Sequence, residues 1–180
     1  MPITIQIHGE ELFDDKTQMF SREVLATVTL EHSLVSVSKW EAKYEKPFIS
    51  EAEKTVDEVK DYVKMMLLEP VSDDIFERLD KENFQAINDY IGSKQTATWI
   101  NDPTNNRRSS EQVTSELIYY WMVALTIPFE CQYWHLNRLL TLIQVANIKS
   151  TPPKNMSKTE AMRRQASINA QRKAAHKTRG

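Results

Sequence analysis

The sequence predicts an α+β fold that is mainly α: a small N-terminal β-unit, a helical core with a central antiparallel helix pair, and a basic helical extension at the C-terminus. Two observations predict this fold. Strand-like alternation is clearest in the first 30 positions, and helical spacing of apolar residues follows it. Only three glycines occur in 180 residues, which disfavours a loop-rich barrel or sandwich. The expected domains are residues 1–30, 31–149 and 150–180.

The β-unit is predicted by two runs that alternate between the faces of a strand. The first is "ITIQI", from Ile3 to Ile7, and the second is "VLATVTL", from Val24 to Leu30. The segment "DDKTQMF" lies between them and is predicted to contain the turn. The two runs therefore indicate a small antiparallel unit at the N-terminus.

Helices are predicted from Glu31 onward. "EHSLVSVSKWEAKYEK" has apolar residues at helical spacing until Pro47, although "SLVSVS" also fits a continued strand. Thr55 followed by Glu58 is typical of a capping box, and the apolar stripe after it stops at Pro70. These signals predict two helices.

Two shorter helices are predicted next. Ser72 or Asp73 is expected to cap the first of them. The second is expected to begin at Asn83 and to end at Gly92. "NDPTNNRRSS" is then the clearest loop signal in the chain.

The central helix pair is predicted by the apolar region after this loop. One helix is expected from about Glu111 to Thr126, and the stretch from Pro128 to "STPP" is expected to form the next. The corner "IPFE" between them is short, which favours an antiparallel pair at the centre of the core. The expected core residues are Trp121, Trp134, Leu136 and Leu140.

Composition limits the kind of protein that the chain can be. No apolar run approaches the roughly 20 residues that a membrane span needs, and the N-terminus lacks the layout of a signal peptide, so we expect a cytosolic protein without a membrane partner. The single cysteine, Cys131, rules out an internal disulfide and a cysteine-rich zinc site within one chain.

Cys131 and His135 are the most reactive residue types in the apolar C-terminal region. Spaced four apart on one helix they would share a face, but a zinc site needs more than two ligands, and their apolar surroundings argue against a nucleophilic pair. We expect a buried thiol and a hydrogen-bonded histidine. An ion pair of Arg138 with Glu116 or Glu130 is expected to fix helix register.

The sequence also lacks a phosphate-binding glycine loop, a G-x-S-x-G element, an H-E-x-x-H element and the protein-kinase signatures. We therefore expect a protein that is not an enzyme, with no catalytic residues and no metal or cofactor.

The C-terminal extension has a charge opposite to that of the rest of the chain. From residue 150 to the end, eight basic residues accompany one acid, giving +7, so the preceding 149 residues carry −9 of the net −2. Aromatic residues that stack on bases are absent there, so we expect protein docking and self-association rather than nucleic-acid binding. Pro152 and Pro153 form a stiff hinge that would let the extension reach a neighbour. The basic residues expected to contact a partner are Lys154, Lys158, Arg163, Arg164, Arg172, Lys173, Lys177 and Arg179.

Four stretches of the chain resemble a family of small proteins from the structural-gene region of tailed bacteriophages. The most specific is "TSELIYYWMVALTIPFECQYWHLNRLLTLIQVANIKSTPPK". The others are "LEHSLVSVSKWEAKYEKPFIS", "TATW" and the basic ending "SINAQRKAAHKTRG". Together they extend over nearly the whole chain from Leu30.

The resemblance implies a protein of phage tail morphogenesis. Proteins of this kind are treated as tail-assembly chaperones, which coat the helical tape-measure protein until tail-tube subunits assemble around it, or as virion structural proteins. The first role places the protein in the host cytoplasm during assembly, in contact with tape-measure or tail-tube proteins. The second places it in the virion, in the tail, baseplate or head region, where terminal arms contact neighbouring subunits. No catalytic residues are implied.

Overall fold

The computed structural model describes residues 2–14, 19–50, 52–100, 112–150 and 158–176. Two antiparallel strands precede a set of helices, which confirms the predicted α+β, mainly α class. The elements are β1 (Ile3–Asp14), β2 (Met19–Leu30), α1 (Leu34–Tyr44), α2 (Val56–Met66), α3 (Asp73–Phe76), α4 (Lys81–Gly92), α5 (Ser115–Ala124), a 3₁₀ helix (Phe129–Tyr133), α6 (Leu136–Ser150) and α7 (Lys158–His176). They fall into two compact units, Met1–Asn147 and Ile148–Gly180.

The β-hairpin is divided into a buried base and an exposed outer half. At the base, Ile5 and Ile7 of β1 and Val28 and Leu30 of β2 belong to the hydrophobic core. The register shifts near His8, after which the outer half carries large exposed apolar side chains. The exposed side chains are Phe13, Phe20, Val24 and Leu25.

Neighbouring segments hold the base of the hairpin in place. Asn83 of α4 donates its side-chain amide to the carbonyl of Gln6, at 3.1 Å. On the β2 side, the backbone N–H of Leu68 donates to the carbonyl of Thr29, at 3.0 Å. The base of the hairpin therefore shares one core with the helices.

Helix α1 is the centre of the helix packing. Ser33 caps it in a reciprocal capping box with Ser36, and Leu34, Val37 and Trp40 are almost completely buried. The helix packs against α2, α5 and the 3₁₀ helix, whereas α5 and α6 contact each other less extensively. The predicted α5–α6 pair is therefore not the centre of the core, because the buried face of α5 packs on α1.

The carboxylate of Glu41 joins three segments around α1. Its two oxygens accept hydrogen bonds from the backbone N–H of Phe48 and from that of Ser115, each at 2.7 Å. Glu41 is itself buried. The Glu41 carboxylate thus accepts from the backbone N–H of Ser115 in the first turn of α5, where backbone N–H groups have no partner within the helix.

The N-termini of α2, α3 and α4 show how far local sequence signals predicted where each helix begins. Thr55 and Glu58 form the predicted capping box of α2. Ser72 occupies the N-cap position of α3 without a side-chain hydrogen bond. Helix α4 begins at Lys81 rather than at Asn83, because Asp80 caps it and Asn83 is the third residue of its capping box.

The predicted long helix after Pro128 is two elements. The 3₁₀ helix ends at Tyr133, Trp134 is extended with φ −74° and ψ 160°, and α6 begins at Leu136. His135 between them forms a β-bridge with Ser33. This distant partner interrupts the helical backbone that the local sequence favours.

Helix α5 is also shorter than predicted. It begins at Ser115 with Thr114 as its cap, and the predicted start at Glu111 lies outside the described residues. It ends at Ala124, and Thr126 then adopts a left-handed backbone with φ 53°.

Three of the four expected core residues lie at the edge of the core. Leu136 is buried, with 2% of its surface exposed. Trp121, Trp134 and Leu140 are partly buried and pack against the core. The deepest residue of α6 is the neighbouring Leu139, which is fully buried.

The second unit contains α7, which has no pronounced apolar face. Its described side chains are exposed except that of Ile168, which is intermediate. No helix in the described parts of the chain has the length and apolar character that crossing a membrane requires.

Candidate functional site

A buried polar centre lies where β2 passes into α1. It consists of Glu31, His32, Tyr62, Tyr90 and His135. The Tyr62 hydroxyl hydrogen-bonds Nδ1 of His32, and the Tyr90 hydroxyl donates to the Glu31 carboxylate. The rings of His32 and His135 meet edge to face, with centroids 5.0 Å apart. Side chains from distant parts of the chain thus converge on one buried point.

The hydrogen bonds of His135 define which ring nitrogen carries its proton. Nε2 lies 3.1 Å from the carbonyl of Tyr90, which can only accept, so Nε2 is the protonated nitrogen. Nδ1 then accepts from the backbone N–H of Asn137, at 3.3 Å. The backbone N–H of Leu136 donates to the carbonyl of His32, at 2.7 Å, and fixes the start of α6 beside the centre.

Burial determines the charge states of the centre. Burial, reinforced by the nearby His135, lowers the pKa of His32 to about 3, and burial also lowers the pKa of His135. Burial raises the pKa of Tyr62, and burial together with the bond to Glu31 raises that of Tyr90. At neutral pH the histidines are therefore uncharged and the tyrosines protonated.

The polar centre has the chemistry of a structural network. Every buried side-chain nitrogen and oxygen in the described residues has a hydrogen-bond partner. Fully paired buried networks stabilise one arrangement of the chain, because breaking them leaves polar groups without water or a partner. We assign the centre to stability.

Cys131 and His135 do not share a helix face, because the helix that would align them is interrupted at Trp134. Cys131 lies buried in the 3₁₀ helix, where burial raises the pKa of its thiol. His135 belongs to the polar centre. Among the described residues, no group of three or more histidine, cysteine or acidic side chains is placed to hold a metal ion.

Arg138 lies over the ring of Trp134, with 4.1 Å between its guanidinium carbon and the ring centroid. The ion pairs formed by described side chains do not include the expected pairing of Arg138 with Glu116 or Glu130. Arg138 instead lines an open cleft of about 410 Å³ between residues 95–98 and α6. The Arg138 guanidinium therefore lies at the surface and, among the described residues, does not form an ion pair between two buried helices.

The exposed aromatic surface of α5 and the 3₁₀ helix is the strongest candidate for binding. We call it the α5–3₁₀ surface, and define it by Glu116, Tyr120, Val123, Phe129, Glu130 and Tyr133. The exposed fractions of the apolar members range from 53% at Phe129 to 65% at Tyr120. Tyr119 connects the two elements, since its ring lies 6.4 Å from that of Phe129 and its hydroxyl donates to Gln132.

This surface is acidic as well as aromatic. Glu116 and Glu130 are exposed on it, and the sequence has no lysine or arginine between Arg108 and Arg138. Clustered exposed apolar groups mark interaction sites in soluble proteins, and acidic neighbours favour a basic partner. The α5–3₁₀ surface therefore fits a partner with both apolar and positively charged side chains.

The predicted basic partner-binding residues lie only partly within the described chain. Arg163, Arg164 and Arg172 are exposed on α7. Lys158 and Lys173 are also in α7, but their side chains are outside the described set. The remaining three lie outside the described residues: Lys154, Lys177 and Arg179.

Sequence patterns alone missed both the polar centre and the α5–3₁₀ surface. Glu31, His32, Tyr62 and Tyr90 have no mutual spacing that would indicate their convergence. One feature of the sequence indicates the α5–3₁₀ surface. The stretch between Arg108 and Arg138 contains several aromatic residues and no lysine or arginine. Comparisons of the chain with protein-family models, curated proteins and solved structures find no match.

Proposed function

We propose that the protein is a non-enzymatic bacteriophage tail morphogenesis protein that acts as a tail-assembly chaperone for tape-measure and tail-tube proteins. The observation that carries this proposal is the α5–3₁₀ surface. A chaperone of this kind needs an exposed surface that accepts a helix, and this surface is aromatic, acidic and large enough to include two structural elements. The phage-family resemblance of the sequence supports the choice of partners.

The geometry of α5 is suited to a helical partner. Glu116, Tyr120 and Val123 are exposed at positions i, i+4 and i+7, so they form a stripe along one face of the helix. A partner helix laid along such a stripe would contribute its own residues at the same spacing. Apolar residues with flanking lysines or arginines would complement Tyr120 and Glu116.

Co-purification would test the chaperone role. The intact protein should retain the tape-measure protein when the two are co-expressed, and Tyr120→Ser with Tyr133→Ser should abolish retention. The matched control is Phe20→Ser with Trp99→Ser, which removes two exposed aromatics elsewhere and should leave retention unchanged. Equal retention by both double variants would contradict the proposed site.

A second role is favoured by a separate observation. The outer half of the hairpin and α7 both present exposed side chains, as terminal arms in a virion subunit would. Mass spectrometry of purified particles separates the two roles. Stoichiometric copies in particles would establish the virion role, whereas presence in infected cells and absence from particles would support the chaperone role.

A further inference from the structure

We propose that the α5–3₁₀ surface binds helix α7 of a second copy of this chain, so that two copies exchange their C-terminal helices. The inference rests on the surface invoked in the proposed function, but its occupant is a segment of the protein itself. Two independent features carry it: the arrangement of charged and apolar residues on α7, and the opposite charge of the aromatic surface.

Helix α7 has one stripe that combines cations with an apolar residue. Arg164 and Arg172 lie four residues before and after Ile168, so the three side chains follow one face of the helix. Arg164 and Arg172 are exposed, and Ile168 is the described side chain of α7 with intermediate burial. Their Cα positions extend along about 12 Å of helix axis.

The α5–3₁₀ surface has the complementary composition. Its tyrosines are exposed and aromatic rings attract guanidinium groups, while Glu116 and Glu130 are exposed carboxylates. Arginine is suited to such a mixed surface because one planar guanidinium can stack on a ring and donate to a carboxylate. An apolar residue between two arginines would meet Val123 or Phe129. Each feature of one surface therefore has a counterpart on the other.

Symmetry favours a second copy over the same chain. Exchange between two copies doubles the buried area, because each copy contributes one α7 and one aromatic surface. Opposite charges would accelerate the encounter and make it sensitive to salt.

Sedimentation equilibrium of the full chain, without any phage partner, would test this inference. The intact chain should self-associate, and added salt should weaken the association. Arg164→Glu with Arg172→Glu should weaken it at least about tenfold, as should Glu116→Lys with Glu130→Lys. All four positions are exposed, so circular dichroism should show that both double variants remain folded.

A mixture of the two double variants distinguishes a second copy from the same chain. In a mixed dimer, the new glutamates on one α7 face the new lysines of the other copy, while the unchanged arginines face unchanged glutamates. Association should therefore recover in the mixture. Docking within one chain would leave the intact protein monomeric, and a mixture without recovery would overturn the proposal.

Arg163→Glu provides the matched control. Arg163 lies five residues before Ile168, which places it about 140° around the helix from the proposed stripe. This variant should self-associate like the intact chain. A monomeric intact chain, or equal weakening by Arg163→Glu, would overturn the inference, and neither result depends on whether a tape-measure protein binds.

Discussion

The buried polar centre and the α5–3₁₀ surface use the same residue types for opposite purposes. In the centre, Tyr62 and Tyr90 place their hydroxyls on His32 and Glu31. On the surface, Tyr120 and Tyr133 are 65% and 63% exposed. This difference shows that burial, rather than residue type, determines whether a tyrosine of this protein contributes to stability or is available for binding. Substitutions in the first region should change the free energy of unfolding, and those in the second should change association.

The largest effect is expected in the hydrophobic core, on α6. Leu139→Ala should lower the free energy of unfolding by about 3 to 5 kcal/mol, because Leu139 is fully buried and its truncation leaves a cavity. Leu140→Ala should cost clearly less, since Leu140 is only partly buried. Urea unfolding of both variants checks the order. An equal loss of stability in both variants would contradict the difference in burial between Leu139 and Leu140.

Lowering the pH should cause the next largest loss in the free energy of unfolding. The pKa of His32 is lowered in the folded protein to about 3, so the unfolded chain binds a proton near pH 6.5 and the folded chain does not. This contribution to stability is complete above pH 6.5 and is lost as pH falls toward 3. At pH 4.5 the loss should be about 2 to 3 kcal/mol relative to pH 7.

Urea unfolding at several pH values measures this loss. His32→Gln should be less stable at pH 7 but should show a shallower decline between pH 6.5 and 4.5, because its side chain does not titrate there. A decline as steep as that of the intact protein would assign the acid sensitivity to another group that titrates in this range, such as His135, whose pKa burial also lowers.

The smallest effect on stability is expected at the surface. Tyr120→Ser should change the free energy of unfolding by no more than about 0.5 kcal/mol, as exposed substitutions usually do. The same variant should weaken self-association. Thermal unfolding and sedimentation of one sample measure both quantities. A large loss of stability with unchanged association would show that Tyr120 contributes to stability and not to binding.

Local signals predicted much of the fold. Thr55 and Glu58 lie in one turn and cap α2 without help from distant residues. The alternating runs Ile3–Ile7 and Val24–Leu30 lie within the two strands, although β1 continues to Asp14 and β2 already begins at Met19. The start of α4 two residues before the predicted Asn83 was also a local effect, since Asp80 is a good cap that the apolar pattern alone did not reveal.

Long-range contacts account for what could not be predicted. The helix signal around Trp134 was strong, but pairing of His135 with Ser33 interrupts it. The polar centre depends on the same kind of convergence, since Tyr90 donates to Glu31 from a separate helix. For the surface, the sequence showed aromatics at helical spacing, yet only the packing of α5 on α1 decides which of them remain exposed.

The bridge between Ser33 and His135 has a consequence for the order of folding. The hairpin and α1 form from residues close in sequence, whereas this bridge closes a loop that includes most of the compact unit. Because long loops cost more entropy to close, we infer that α6 docks late, after the folding transition state. The destabilisation in Leu139→Ala should then appear mainly as faster unfolding, with a nearly unchanged folding rate, in stopped-flow measurements. A slower folding rate would place α6 in the nucleus instead.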